Sequence, residues 1–400
     1  MISYKYHQRV ATSAFVESFR RWLVSIYELP QDNSRIVSLE GIRGLAITLV
    51  FFVHYHALFS HYLANDSASF SMSHFSWSIG PAGVDLFFIL SGYLIYGIVM
   101  QKNTNYLKFM FRRAQRIYPT FLFVLALYII LLFIFPRETK LPSDPGEAAL
   151  LILENVALLP GIFNINPIIT VAWSLSYEWF FYACIPILIS VLKMKRWKAS
   201  SRILFIAISS VAYITLRLPP NHMPMFASGM LLYELSNSVW FKSKLSRTGE
   251  VFAIAVFIAT FPCIYFLQSR QSGPDPGTVL WDWSVIAILY GGFFWFFVYA
   301  INYDGIVKRS LSCTPLRWLG NISYSYYLLH GLVLNAIALA LKSVPGLSQY
   351  GLIIFWIGLP LAFLTTVGIS TVLFVEVERR FSIFKKPAAP VRSLSFGSSA

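Results

Sequence analysis

Two histidines lie deep inside apolar runs of this sequence, and each shares its helical face with other groups able to handle protons or charge. His54 follows Arg43 by eleven residues. At about 100° per helical residue that separation is about 20° past three full turns, so the two side chains share a face about 16 Å apart along the axis. His56, about 200° round from His54, points elsewhere. His330 ends the run LGNISYSYYLLH, in which Ser323, Tyr326, Tyr327 and His330 fall at i, i+3, i+4 and i+7 on one stripe. Two acids complete the set, Asp85 in GPAGVDLFFILSGYLI and Glu178 in AWSLSYEWFFY. Neutral imidazole accepts a proton or an acyl group, a neighbouring carboxylate orients it and compensates its charge, and a guanidinium holds a carbonyl or a phosphate. The inventory fits acid–base group transfer and proton translocation alike. Further along, QKNTNYLKFMFRRAQR (101–116) has five basic residues and no acid. It reads either as an ordinary inner loop or as a cradle for the phosphates of a cytoplasmic ligand, held by Arg112, Arg113 and Arg116.

The elements that position these groups must cross a membrane. The 400 residues are 56% hydrophobic and only 12% charged, with a mean hydropathy of +0.62, which excludes a soluble protein. Thirty-five Phe, 22 Tyr and 11 Trp exclude a disordered or collagenous chain. The net charge of +14 sits in short clusters between long apolar runs, so its partner is the membrane surface rather than nucleic acid. A hydrocarbon core of about 30 Å takes about 20 apolar residues per helix. Ten segments qualify, near 42–60, 79–100, 117–135, 172–192, 203–216, 224–240, 251–267, 284–300, 319–341 and 351–374. The expected fold class is therefore an all-α integral membrane protein, a ten-helix transmembrane bundle with short loops.

The stretch 148–160 is short and carries Glu154 and Asn155, so it reads as re-entrant or interfacial. With both termini cytoplasmic in the cell (inner) membrane, only Arg137, Lys140, Arg217, Arg270 and Lys342 of the 32 Lys and Arg fall outside. Counting 148–160 as a span would turn KMKRWKASSR outward, against the positive-inside rule. Residues 1–40 are expected as a cytoplasmic extension without a signal peptide, including an interfacial helix around Phe15 to Ile26. Residues 41–382 form the membrane domain and 383–400 a cytoplasmic disordered tail. Cys184, Cys263 and Cys313 show no metal or disulfide spacing and are expected as core thiols; no metal is expected.

Ionisable groups at membrane depth cost several kcal/mol unless they face a bundle interior or a wet cavity, so each is a candidate for function. Their arrangement resembles a known family. Arg43 with ten residues before His54, GVDLFFILSG (83–92), RRAQRIYP (112–119), WSLSYEWFFY (173–182) and LGNISYSYYLLH (319–330) occur in the order and spacing of the acyltransferase-3 family. Its members include membrane O-acetyltransferases of bacterial surface polysaccharides. The resemblance covers about residues 36–382 and implies transfer of an acyl group, commonly acetyl, from cytoplasmic acyl-CoA to a hydroxyl of a glycan or related acceptor. It implies Arg43, His54, Asp85 and Glu178 as catalytic residues and Arg112, Arg113 and Arg116 as the basic segment for CoA. Tyr326 and His330 are candidates for acceptor contacts. Trp179 stands where many members carry a second acid, and Glu378-Arg379-Arg380 replaces a common Glu-Arg-Pro.

In acyl transfer His54 has two open roles, general base on the acceptor hydroxyl or transient acyl carrier. Glu178 or Asp85 would orient its imidazole, and Arg43 would serve the thioester or the pantetheine-phosphate end. The rival reading is a proton-coupled transporter or exporter using the same His, Asp and Glu. Transporters usually show internal repeats and interrupted spans in matching halves, and neither is visible here.

Overall fold

The computed structural model describes residues 17–29, 35–64, 67–101, 105–135, 141–216, 218, 222–269, 276–346 and 350–382, with backbone alone over 267–269 and 276–286. Among them the chain is helical, and its one β-bridge joins Pro160 to Phe163. The helices that matter here are α1 (Val37–Phe59), α2 (Ala68–Ile79), α3 (Ala82–Gln101), α4 (Tyr106–Ile134), α5 (Pro145–Val156), α6 (Ala172–Val191) and α7 (Ala199–Thr215). They continue with α8 (Met223–Ser236), α9 (Arg247–Ser269), α10 (Pro276–Asn302), α11 (Thr314–Asn321), α12 (Ser323–Lys342) and α13 (Gly351–Leu373), which runs into a π-helical segment, Phe374–Ser382.

Seven helical stretches among the described residues are long and apolar enough to cross a membrane: Val37–Tyr62, Ala68–Gln101, Tyr106–Ile134, Ala172–Val191, Arg247–Phe266, Ser323–Lys342 and Gly351–Ser382. The other three expected spans are helical but fall short of that standard. Two shorter apolar helices cover Ala199–Thr215 and Ala287–Asn302. The segment expected at 224–240 ends at Ser236; its 14 residues rise about 21 Å, less than a hydrocarbon core of about 30 Å. Helix α5, capped by Asp144 accepting from the Glu147 amide at 2.9 Å, has 12 residues and is likewise too short to cross.

One boundary changes the site. The basic stretch 101–116, expected as a loop, is helical from Tyr106, because Asn105 Oδ1 accepts from the Lys108 amide and caps α4. Its arginines are therefore fixed at helical spacing: Arg113 and Arg116 share a face turned toward the bundle, and Arg112, about 100° away from Arg113, is exposed.

Close backbone contact sets the packing. Gly92 of α3 lies on the Phe226 carbonyl of α8 and Gly229 of α8 on the Ile89 carbonyl, so a Cβ at either would collide with backbone. Gly80, just before α3, and Gly83 of α3 meet Leu49 and Ala46 of α1, which makes α1 and α3 antiparallel. The three cysteines are exposed rather than buried; Cys184 and Cys263 lie on outer helix faces, where an apolar surround suits a thiol as well as a core does.

Residues 17–27 are helical, with Phe19 and Trp22 exposed; Phe15 of the expected interfacial helix lies outside the described residues, as does the tail 383–400. This segment docks on the end of the bundle. The Tyr27 hydroxyl pairs with Thr371 at 2.9 Å, Glu28 bonds Arg317 and the Trp318 indole, and Arg379 donates to the Ser25 carbonyl at 2.7 Å. Residues near the two ends of the described chain thus meet at the end of the bundle where α1 begins.

Candidate active site

Helix α12 brings the two apolar-run histidines together. The His54 and His330 rings meet edge to face with centroids 4.7 Å apart. His330 is fully buried, and its Nδ1 lies 2.7 Å from the Tyr327 carbonyl. A carbonyl can only accept, so Nδ1 carries the proton and the bare Nε2, buried without a partner, is left as a base. His54 makes no hydrogen bond among the described residues and lines a cavity of about 570 Å³. Leu58, Tyr128, Thr170, Asn335 and Lys342 share its walls, and it lies toward the end of the bundle far from Arg43. Tyr326 does not line this cavity. It stacks on His330 with ring planes 7° apart, is fully buried, and leaves its hydroxyl unpartnered. His56 is set apart as its spacing requires, with Nδ1 2.7 Å from Ser73 Oγ of α2.

Nearer the start of α1, Arg43 stands in a cluster of charges. Arg116, Glu378, Glu178 and Tyr182 all act on it electrostatically, yet among the described residues it forms no ion pair and no hydrogen bond. Glu178 accepts from the Ser91 and Tyr182 hydroxyls, which fix its carboxylate between α3 and α6. Glu378, on the π-helical segment, is fully buried. It pairs with Arg116 at 2.9 Å and accepts from the Ser325 hydroxyl at 2.6 Å and the Ser325 amide at 3.1 Å. Arg113 lies over the rings of Phe109 and Tyr182 at 5.6 and 5.9 Å, with its Nε buried and unpartnered. A second carboxylate therefore does stand by Arg43. It comes from the last helical segment rather than from the position after Glu178, where Trp179 packs on Tyr118. The three arginines do not form one cradle, since Arg116 is neutralised by Glu378 and Arg112 faces outward.

Neither expected acid bonds to His54. Asp85, 3% exposed, bonds His222 Nδ1 at 2.7 Å, and His222 packs among Trp173, Tyr177 and Phe88. Phe87, about 200° round α3 from Asp85, faces Tyr327 on the other flank, so α3 separates the Asp85–His222 pair from His330. Burial pushes the His222 imidazole down, while the charge of Asp85 and the hydrogen bond to it push it up further and leave it above its ordinary value. Sequence reasoning missed His222 because it sits just outside the apolar run of α8. It missed Glu378 as a site residue because Glu378-Arg379-Arg380 reads as the exit from the last span. The signal available was the second acid of LFVEVE (373–378), which follows Val377 on a still apolar stretch.

Among the described residues no three His, Cys, Asp or Glu side chains converge to hold a metal ion. The arrangement offers a base beside a cavity at one level and an unpaired guanidinium flanked by two fixed carboxylates about 16 Å below. That pairing suits transfer of a group between two substrates entering from opposite ends.

The model of the acyltransferase domain of the acyltransferase-3 family matches residues 36–375. The chain is 24% identical over 340 residues to the putative peptidoglycan O-acetyltransferase YrhL of Bacillus subtilis, covering 76% of this chain and 49% of that protein. It is 25% identical to the peptidoglycan O-acetyltransferase OatA of Listeria monocytogenes, over 74% of this chain and 49% of that one. To the exopolysaccharide production protein ExoZ of Rhizobium meliloti it is 27% identical, over 66% of this chain and 80% of that one. The chain thus spans about half the length of the two peptidoglycan O-acetyltransferases it matches. No solved structure matches. The match over residues 36–375 carries every residue of the His54 and Arg43 levels except Glu378, and the chain belongs to the acyltransferase-3 family.

Proposed function

We propose that this chain is a ten-helix membrane O-acyltransferase that moves an acetyl group from cytoplasmic acyl-CoA to a hydroxyl of a cell-surface glycan. The observation that carries the reading is the imidazole pair, His54 on the cavity and His330 behind it with a fixed tautomer, set above an unpaired arginine in one bundle. The relatives named for O-acetylation of peptidoglycan and for exopolysaccharide production support a glycan acceptor. The charge pattern of the loops supports inner-membrane placement with both termini cytoplasmic, so that Arg43 faces the donor side and the cavity the acceptor side.

In the direct route the acceptor hydroxyl enters the cavity and His54 takes its proton as oxygen attacks the thioester carbonyl. The C–O bond forms, the C–S bond breaks, and the proton passes from His54 to the departing CoA thiolate, giving ester and free CoA. Arg43, about 16 Å from His54 along α1, is too far to reach the oxyanion formed beside it and holds the donor arm instead, with Glu178 and Glu378 keeping the charge balance around it. Arg113 and Arg116 flank the donor arm with Arg112 at the mouth, and Asp85 fixes His222 beside Trp173 and Tyr177 as a second acid–base pair. Tyr326 and His330 act behind the acceptor cavity, positioning His54. No metal takes part in this scheme.

The test is incubation of the purified protein with radiolabelled acetyl-CoA, with and without glycan acceptors. Acceptor-dependent release of free CoA with label in the glycan supports the proposal. Intact acetyl-CoA under all conditions, with proton uptake in vesicles, would replace it with the transporter reading.

A further inference from the structure

A second cavity, of about 810 Å³, opens where α3 ends, α4 begins and α6 ends. Its walls change character along their length. Val99, Pro186, Ile187 and Val191 make one part apolar, whereas Lys193, Lys195 and Arg196 bring three cations to the other, beside Asn105 and Tyr106, and no acid among the described residues lines it. The turn that carries the cations is fixed in shape. Lys193 is held in the left-handed region (φ 53°, ψ 34°), which non-glycine residues adopt at a cost, and Met194 is fully buried beneath the turn. Beyond the turn, Arg202 ties down the following residues by donating to the Trp197 carbonyl at 2.5 Å while holding Glu234 through two bonds at 2.6 and 2.8 Å. Three like charges on a pinned turn repel one another, so the arrangement favours a multiply charged anion between them.

The groove and the Arg43 cluster share helices α4 and α6. Tyr106 on its wall donates to the Ala183 carbonyl of α6 at 3.4 Å, and Arg113, two turns further along α4, lies over Tyr182. From Ser190 in the groove to Glu178 is twelve residues of α6, about 18 Å.

We infer that this groove binds the phosphates at the nucleotide end of the acyl-CoA donor, with the pantetheine arm running along α6 past Arg113 to Arg43. The assignment rests on the acyl-CoA reading proposed above. It moves the phosphate contacts from Arg112 and Arg116, one exposed and one neutralised by Glu378, to Lys193, Lys195 and Arg196. The chemistry recognised is a phosphate group joined to a less polar body, which an anionic phospholipid also presents.

The experiment uses the full chain in nanodiscs of zwitterionic lipid, comparing the wild type with Lys193→Asn/Arg196→Gln. Asparagine tolerates the left-handed backbone at position 193, so charge is removed without a new strain. The variant should raise the KM for acetyl-CoA about tenfold or more and weaken binding of desulfo-CoA, measured by calorimetry, by the same factor. Turnover of acetyl-pantetheine, which has the thioester and arm but no phosphate, should be unchanged. Equal loss with both donors would overturn the assignment, because the defect would then lie in folding or chemistry. Undiminished desulfo-CoA binding by the variant would overturn the groove and leave the donor reading standing. If phosphatidylglycerol in the disc then raises the unfolding temperature of the wild type and not of the variant, the occupant is a lipid headgroup. Failure of the wild type to bind desulfo-CoA would remove the donor reading and this assignment with it.

Discussion

Replacing His330 by Phe separates function from packing, because the structure gives the two readings opposite signs. The imidazole is fully buried, donates through Nδ1 to the Tyr327 carbonyl, and leaves Nε2 without a partner. A buried unpaired polar atom costs about 1–3 kcal/mol, and the hydrogen bond that would be lost contributes about 1 kcal/mol net. Phenylalanine keeps an aromatic ring stacked against Tyr326. The variant should therefore unfold at the same temperature as the wild type or slightly above it, a change between zero and about 2 kcal/mol in its favour. Acetyl transfer should fall by about 10²- to 10⁴-fold, the range of a positioned acid–base group. His330 acts through His54, so the pH profile of the residual activity should also move, since two imidazoles with centroids 4.7 Å apart titrate as a pair. Transfer of label from acetyl-CoA and thermal unfolding, both measured in the same nanodiscs over a pH series, read all three quantities. A His330→Phe protein with wild-type turnover and an unshifted profile would reduce the histidine to packing and refute the reasoning. His54→Ala should lose as much activity, and the double variant should lose little more than the worse single one, as groups acting together do.

The Asp85–His222 pair gives a pH prediction. His222 is raised in the fold, so the pair's stabilisation is complete below the unfolded imidazole pKa of about 6.5 and is lost as pH rises through the folded value. The gap in unfolding temperature between wild type and Asp85→Asn should be widest in mild acid and narrow in alkali, and a gap independent of pH would refute it. Arg43→Lys keeps the charge but loses the planar fork, so it should retain part of the turnover that Arg43→Gln loses, read as kcat with either donor; equal loss would mean geometry alone matters there. Glu378→Ala leaves the half-buried Arg116 and the Ser325 hydroxyl without their acceptor and should destabilise by about 1–3 kcal/mol in thermal unfolding, whereas an unchanged protein would make the ion pair incidental. A cysteine at Ser200, in the exposed first turn of α7, should stay unlabelled by impermeant reagent in intact cells; labelling from outside would invert the proposed topology.

What the sequence made legible followed from periodicity and from the expense of charge in lipid. The Arg43–His54 spacing and the Tyr–His stripe of α12 are each geometry within one helix, and both survive in the fold because a helix fixes them without reference to neighbours. Pairings between helices were not legible. Asp85 is expected beside His54 and bonds instead to His222, because its flank of α3 is decided by how Gly92 and Gly229 let α8 approach. The second acid at Arg43 was sought next to Glu178 and comes from Glu378, about 200 residues later. The loop reading of 101–116 failed at its capping residue: Asn105 starts the helix about three turns before hydropathy does, since arginines at a helix end can extend into the headgroup region without breaking the backbone ladder.

The charges around Arg43 explain why an enzyme would keep so costly a cluster. Arg43, Arg113 and Arg116 face Glu178 and Glu378, three cations against two anions in a setting where solvent screens little. Arg116 is matched by Glu378, and Glu178 is held by two hydroxyls rather than by a guanidinium, which leaves the site short of one negative charge at Arg43. The amide carbonyls of the donor arm proposed above would offer that guanidinium acceptors. The cluster is thus better satisfied with that donor bound than with it absent, so it would serve to hold the donor in place. The Ser91 and Tyr182 hydroxyls serve that end by fixing Glu178, so that it stays by the arginine without collapsing into a closed pair that would cancel the surplus.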